Sequence, residues 1–161
     1  MDSPNSQPPG GASGPHRLTA VNPPTPSRDE RAAGADGTSP LDVRLMAVMA
    51  AARYHGVELD REDLRFPAGE APSPATLVEW VRGGGLWAKA ARLRWRHLIG
   101  LESAGPVVLL LADGSAALMV RADPARNIVW LKDPTGAGET QGVAVDELRL
   151  AQVWTGETLL M

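Results

Sequence analysis

Hydrophobic positions in this chain follow a helical period as far as residue 82 and a strand period from Leu86 onward. The helical part predicts three helices, over residues 41–57, 60–64 and 74–82. The second part predicts strands over 86–93, 107–111, 116–121, 128–132 and 157–161, a linking segment over 95–101 and a short helix over 145–150. Helices that come first and antiparallel strands that follow them indicate the α+β class.

Local signals predict where the helices begin and end. Ser39 is followed by proline and, three residues on, by Asp42, which suits a capped helix start with an acidic residue at the positive helix end. Gly56 suits the end of this helix, and Ser73, also followed by proline, repeats the start signal. The helix over 41–57 is apolar on nearly every face, so we expect it in the centre of the domain.

The first 38 residues differ in composition from the rest of the chain. They contain seven prolines, several glycines and serines, and no aromatic residue. Such a segment cannot bury enough apolar surface to offset the entropy of ordering it. We therefore expect a disordered tail over 1–38 and a folded domain over 39–161. A polyproline ligand role for Asn22–Pro26 is the alternative interpretation of the tail.

Composition excludes several classes of function. The formal net charge of −3 gives no support for nucleic-acid binding, and the chain contains no cysteine. Disulfides, thiolate metal sites and thiol catalysis are thereby excluded, and with only three histidines we expect neither a metal site nor a cofactor. The apolar runs are too short to span a bilayer, and the N-terminus lacks a signal-peptide pattern, so we expect a cytoplasmic location.

Short motifs along the chain occur in an order that resembles one known family. Asp42-Val43-Arg44, the apolar helix and then Tyr54-His55-Gly56 resemble the opening of the bacteriocin-processing (double-glycine) cysteine peptidases, papain-like domains at the N-termini of bacterial ABC exporters. Later landmarks follow in the same order: Gly85-Leu86, Pro106, Asp113-Gly114, Asp133-Pro134 with Gly136, and Trp154-Thr155-Gly156. The resemblance covers roughly residues 40–161 and implies a papain-like fold, with N-terminal helices packed on an antiparallel sheet.

The catalytic positions of that family fall on residues that cannot perform its chemistry. By resemblance the cysteine falls on Val43, at a helix N-terminus where the helix dipole would lower the pKa of a thiol. The general-base histidine falls on Ala116 and the oxyanion-hole glutamine on Gly37. Only the acid that orients the histidine is retained, as Asp133. Because a nucleophile and a base are the minimum for this chemistry, we expect no peptidase activity.

The family includes degenerate, peptidase-like members, and the resemblance to them implies a function. Those domains belong to type I secretion exporters of RTX toxins and adhesins, where they hold the unfolded substrate near the transporter. We therefore expect a domain that binds an unfolded RTX-type protein at the cytoplasmic face of the bacterial inner membrane. The membrane and nucleotide-binding domains of an ABC exporter would be its partners.

The alternative is a free-standing pseudopeptidase that acts as an adaptor or regulatory protein. An apolar span of ~20 residues soon after Met161 would favour the exporter over this adaptor.

Tryptophans and a group of arginines indicate where a substrate would bind. Five tryptophans stand against one phenylalanine and one tyrosine. They could form a groove for extended peptide, although packing in the core is their commoner use. Trp87 and Trp95 are the better groove candidates, because Arg92 and Arg94 lie nearby in sequence and could meet acidic RTX repeats. A solvated strand face is the competing interpretation for these arginines.

Two residue types that could carry catalysis also have simpler interpretations. Asp133 begins an Asp-Pro-x-Gly sequence, which forms a turn with or without a catalytic role. An unrelated hydrolase with Ser39 or Ser115 as its nucleophile would need a nearby base, and the sequence shows no candidate.

Overall fold

The structure, a computed structural model, describes residues 38–67, 70–101, 105–136 and 142–161. Its elements are α1 (Pro40–Tyr54), a 3₁₀ turn (Arg61–Asp63), α2 (Pro74–Gly83), β1 (Lys89–Arg92), α3 (Trp95–Ile99), β2 (Val107–Leu111), β3 (Ala116–Asp123), β4 (Ile128–Lys132), β5 (Val143–Asp146), α4 (Glu147–Leu150) and β6 (Trp154–Leu160). The predicted α+β class is confirmed. Residues 1–37 of the predicted tail lie outside the described residues.

The signals at both ends of α1 operate as the sequence predicts. The Ser39 hydroxyl accepts a hydrogen bond from the Asp42 backbone N–H at 3.1 Å and donates one to Asp42 Oδ2 at 2.7 Å. Gly56 adopts a positive φ of 80°, a conformation that few residues other than glycine take up readily. Its N–H bonds to the Arg53 carbonyl at 2.9 Å, so the helix ends at Tyr54, somewhat earlier than predicted.

The six strands form one antiparallel sheet in the order β1-β6-β2-β3-β4-β5. The last strand of the chain, β6, therefore lies inside the sheet, between β1 and β2. α1 packs against β2 and β3, and α2 packs against β1 and β6. Among the described residues, no helix combines the length and the hydropathy that crossing a membrane requires.

Each face of the sheet has its own hydrophobic core. On one face, apolar residues of α1 and α2, among them Leu45, Val48 and Leu77, pack with strand residues such as Leu110 and Leu159. The other face carries a second cluster, in which α3 and α4 cover the strands. Its buried members are Leu98, Val107, Leu109, Met119, Ala122, Val129, Leu150 and Trp154. Alternation of side chains along β2 supplies both clusters, since its successive residues point to opposite faces.

Two parts of the sequence-based prediction were wrong around β1. The strand predicted over 86–93 is paired only over Lys89–Arg92, and the carbonyl of Ala88 instead accepts a hydrogen bond from Arg82 Nε at 3.0 Å. The predicted linking segment contains the short helix α3. Its N-cap residue, Arg94, makes no side-chain capping bond, so the sequence carries no start signal there.

The prediction also missed a strand near the C-terminus. Val145 was assigned to a helix, but it pairs with Val129 as part of β5, and only the residues after Asp146 are helical. The Asp146 carboxylate accepts a hydrogen bond from the Arg149 N–H at 2.9 Å, so one residue both ends the strand and caps α4. β6 starts at Trp154, three residues before the predicted strand over 157–161.

Candidate functional site

The positions that resemble a catalytic site lie at one end of the sheet. Val43 is in the first turn of α1, Ala116 is the first residue of β3, and Asp133 directly follows β4. α1 packs on β3, and a Cβ placed on Gly114, in the turn before β3, would lie 3.9 Å from the Cβ of Pro40. The helix start and the strand start are therefore neighbours.

The pairing of β3 with β4 brings the third position to the same place. Leu118 pairs with Lys132, so continuing this register sets Asp133 level with Ala117, next to Ala116. The sequence-predicted positions Val43, Ala116 and Asp133 thus converge in space. Gly37, the position of the oxyanion-hole residue, lies outside the described residues.

None of these convergent residues forms a nucleophile–base pair. Ala116 is 3% exposed and belongs to the core cluster with α1, while Val43 is half-buried. The carboxylate of Asp133 accepts hydrogen bonds from the N–H and the hydroxyl of Thr135, at 2.8 and 2.7 Å. This is the geometry of a turn, with the acid engaged by its own loop. The arrangement offers neither a group that attacks a carbonyl nor one that takes a proton from it.

Arg44, next to the nucleophile-equivalent position, has a role that the sequence interpretation missed. Its side chain is buried, with only 8% of the residue exposed, and its two terminal nitrogens donate to the carbonyls of Pro72 and Leu111 at 3.4 Å each. Nε has no hydrogen-bond partner among the described residues. A buried guanidinium here links α1 to the segment before α2 and to the end of β2.

In the sequence, the position of Arg44 along α1 indicates that its side chain is buried. It lies three residues after Leu41 and four before Val48, on the stripe that α1 buries against the sheet. Burial lowers the pKa of Arg44, while the charges of Glu157 and Asp113 oppose that shift. A charged side chain on an apolar stripe costs solvation free energy unless it is well paired.

Two carboxylates near this end have lowered pKa values because neighbours bond to their charged form. The pKa of Asp42 is lowered by the hydrogen bond from the Ser39 side chain and then by Arg61, whose guanidinium lies 2.7 Å from Oδ1. The pKa of Asp113 is lowered chiefly by Ser115, whose hydroxyl donates to Oδ1 at 2.6 Å. Both serine hydroxyls therefore serve a helix cap or a turn, which argues against the hydrolase alternative.

The predicted substrate-binding residues lie on and around β1 and α3. Trp87 is 60% exposed just before β1, and the side chains of Arg92 and Arg94 are exposed at its end. Trp95 begins α3, is half-buried, and donates from Nε1 to the side chain of Asn127 at 2.8 Å. We call the residues Trp87, Lys89, Arg92, Arg94 and Trp95 the β1–α3 surface.

A cavity of about 190 Å³ opens beside this surface. It is lined by Trp95 together with Leu93, Leu150 and Trp154, whereas Trp87 is not among its lining residues. The structure therefore pairs Trp95 with Trp154, which sequence reasoning did not single out as a groove residue. The sequence around Trp154 carries no signal for this contact, which depends on β6 beginning at Trp154 and pairing with β1.

Trp80 serves the interior of the domain. Trp80 is buried and donates from Nε1 to the Asp60 carbonyl at 2.8 Å, beside a larger cavity of about 470 Å³. Carboxylates of Glu58, Asp63 and Glu79 border that cavity. No group of side chains in the described part of the chain could hold a metal ion. Core packing, the commoner use of tryptophan, thus accounts for Trp80.

Two solved structures share this architecture. The N-terminal peptidase C39-like domain of the toxin secretion ATP-binding protein from Vibrio parahaemolyticus superposes with a TM-score of 0.55 at 20% identity, over 76% of this chain and 94% of that one. A double glycine motif protease from an AMS/PCAT transporter, solved in complex with the leader peptide, gives a TM-score of 0.54 at 15% identity, over 73% and 83%. No protein-family model and no curated protein matches the sequence. The domain has the fold of the peptidase C39-like domains.

Proposed function

We propose that this chain is a C39-like domain without peptidase activity that binds an unfolded RTX-type protein for a type I secretion ABC exporter. One observation carries the proposal: Val43 and Ala116, the positions to which the resemblance assigns the thiol and the base, can supply neither. A chain without cysteine cannot supply the thiol from anywhere else. Binding of a polypeptide without cleavage is then the role that we assign to the domain.

The distribution of exposed groups supports binding at the β1–α3 surface. Trp87 offers an exposed ring, and Trp95 borders a cavity of the size that a side chain can enter. Arg92 and Arg94 are exposed beside them and would attract an acidic segment. An unfolded substrate rich in aspartate, such as an RTX protein before it binds calcium, has the matching chemistry.

In an exporter, parts other than this domain would supply the energy for transport. This domain would act at the cytoplasmic face of the bacterial inner membrane, with the membrane and nucleotide-binding domains of the exporter as its partners. Among the described residues, nothing resembles a nucleotide-binding loop, because the glycines at Gly83–Gly85 follow a helix and no Lys-Ser/Thr pair accompanies them. The domain would retain the substrate, and the exporter would move it.

An NMR titration of the full chain with the co-encoded secreted protein tests this proposal. We expect chemical-shift changes at the β1–α3 surface with the unfolded substrate and much smaller changes with its calcium-folded form. A double-glycine leader peptide incubated with the chain should remain intact. Cleavage of that peptide, or the absence of shifts with either form of the substrate, would contradict the proposal.

A further inference from the structure

β1 forms an edge of the sheet, and its outer side has no partner strand among the described residues. Leu93 donates its N–H to the Gly156 carbonyl at 2.9 Å, which fixes which residues of β1 point toward β6. In an antiparallel pair these alternate, so Lys89 and Ala91 bond to β6 while Ala90 and Arg92 turn their N–H and C=O groups outward. The edge therefore presents main-chain donors and acceptors at Ala90 and Arg92.

The free edge of β1 is closed at its N-terminal end and continues toward α3 at its C-terminal end. The carbonyl of Ala88, which would extend the edge, is already bonded to Arg82. Beyond Arg92 the chain enters α3, where Trp95 borders the cavity shared with Trp154. A strand added to β1 would thus meet two free backbone positions, with an aromatic side chain near each end of the strand.

Along the chain on both sides of β1 the charge is of one sign, although Glu157 lies opposite Arg92 on β6 and Glu147 lines the cavity beside Trp95. From residue 80 to residue 101 the chain contains no aspartate or glutamate, although acidic residues outnumber basic ones overall. This stretch contains the cations Arg82, Lys89, Arg92, Arg94 and Arg96. Within the described residues none of them forms an ion pair, whereas Arg53, Arg61, Arg126 and Arg149 do. A strand edge where cations outnumber the nearby carboxylates is suited to an acidic partner.

We infer that β1 takes up an extended acidic segment of the partner protein as an additional strand of the sheet. Main-chain hydrogen bonds to Ala90 and Arg92 would provide sequence-independent affinity, and the flanking cations would select acidic side chains. A bulky apolar residue of the segment would enter the Trp95–Trp154 cavity. This inference rests on the proposed function and names the binding mode of the same surface.

A second copy of this chain fits the edge poorly. Antiparallel pairing of two β1 strands through their outward positions would set Arg92 of one copy either opposite Arg92 of the other or opposite Ala90 and diagonal to that Arg92. Like charges opposite each other on paired strands are destabilising. Short length and positive charge are also the devices that keep edge strands from pairing with themselves. The same features leave the edge open to a chain of opposite charge.

Amide hydrogen exchange on the full chain tests the inference with a synthetic peptide of alternating aspartate and valine. On saturation we expect exchange at Ala90 and Arg92 to slow at least ~tenfold, because their N–H groups gain partners. Exchange at Lys89 and Ala91, which already bond to β6, should change much less. Slower exchange at alternate residues distinguishes strand addition from a general loss of flexibility, which would slow exchange at all four residues.

Two control peptides separate the main-chain contribution from the charge contribution. Methylation of alternate amides should weaken binding by roughly tenfold, since each lost hydrogen bond is worth about 1 kcal/mol. The peptide with lysine in place of aspartate should not bind detectably. A chain with Ala90→Pro lacks one outward donor and keeps the pairing with β6, so it should bind the peptide at least several-fold more weakly.

The outcomes separate this inference from the proposed function. The exchange measurement on the unsubstituted chain is decisive even if the proline variant fails to fold. Binding without protection at Ala90 and Arg92 would overturn strand addition and leave the docking function standing. Failure of the unfolded secreted protein to bind would overturn both. Protection that rises with protein concentration alone, or that a single-stranded oligonucleotide produces more strongly than the peptide, would assign the edge to another partner and overturn the inference.

Discussion

The two ends of this domain treat their charged and aromatic residues in opposite ways. At the nucleophile-equivalent end (Val43, Arg44 and Ala116), side chains are buried or half-buried, and a guanidinium is enclosed between backbone carbonyls. At the β1–α3 surface the arginines are exposed and Trp87 stands largely in solvent. The side chains of the first region pack in the interior, and those of the second are accessible to a partner.

This difference separates groups that hold the fold together from groups that solvent or a partner can reach. Where a catalytic site needs a solvent-accessible polar pair, this end has an apolar strand residue and a helix anchored by Arg44. Groups that pack in this way contribute to folding free energy and are unavailable to a substrate. Exposed cations contribute little to stability, so the β1–α3 surface is free to be shaped by binding.

The largest expected effect comes from the buried side of α1. Leu45→Ala removes a fully buried side chain of the core cluster and should lower the free energy of unfolding by about 3 kcal/mol. Met46→Ala is the matched control, because its side chain is 36% exposed and should cost less than about 1 kcal/mol. Urea denaturation measures both. Equal losses in the two variants would contradict the buried orientation of α1.

A double substitution tests whether the nucleophile-equivalent end can be made catalytic. Val43→Cys with Ala116→His introduces the thiol and the imidazole that the resemblance assigns to these positions, but histidine at the enclosed position 116 overfills the core. We expect a loss of about 1–3 kcal/mol in unfolding free energy and no cleavage of a double-glycine peptide. Mass spectrometry of the peptide measures cleavage, with Val43→Cys alone as the control. Turnover by the double variant would show that this end remains a site.

The helix ends could be predicted from sequence because they depend on residues next to each other. Ser39 and Ser73 each precede proline and cap a helix through their own hydroxyl, so three or four residues contain the whole signal. β5 and α3 lack such signals. Asp146 ends one element and begins another, and Arg94 caps α3 without a side-chain bond, so their structure depends on the rest of the sheet.

Only those parts of the candidate site that depend on neighbouring residues could be predicted from the sequence. Trp95 was singled out from its neighbours in sequence, but its cavity partner Trp154 comes from the far end of the chain. Arg44 looked like one polar residue of a motif, and only the packing of α1 shows that it is buried. Contacts between distant segments decide both cases, and a single sequence does not encode them locally.

The smallest expected effect on stability is at the β1–α3 surface. Arg94→Glu should change the unfolding free energy by less than about 0.5 kcal/mol, because the exposed side chain makes no ion pair among the described residues. It should nevertheless weaken binding of the unfolded secreted protein by roughly tenfold, since it reverses a charge that would face the proposed acidic partner. Calorimetry measures the affinity.

The matched control for this variant is Arg65→Glu, because Arg65 is also exposed and lies outside the β1–α3 surface. It should leave the affinity unchanged. If both variants lost the same affinity, the effect would come from the net charge of the domain. The β1–α3 surface would then have no special role in binding.

The position of β6 inside the sheet has a consequence for synthesis on the ribosome. β2, β3, β4 and β5 join neighbours in sequence, so this meander can begin to form as soon as it emerges. β1 must wait, because its partner is made some seventy residues later, as the pairing of Lys89 with Leu160 shows. Until then the apolar faces of α1 and α2 lack part of their sheet, and the domain is open to chaperones and proteases. The edge that we assign to the partner therefore forms in one of the last steps of folding, so an incompletely synthesised chain would not present it.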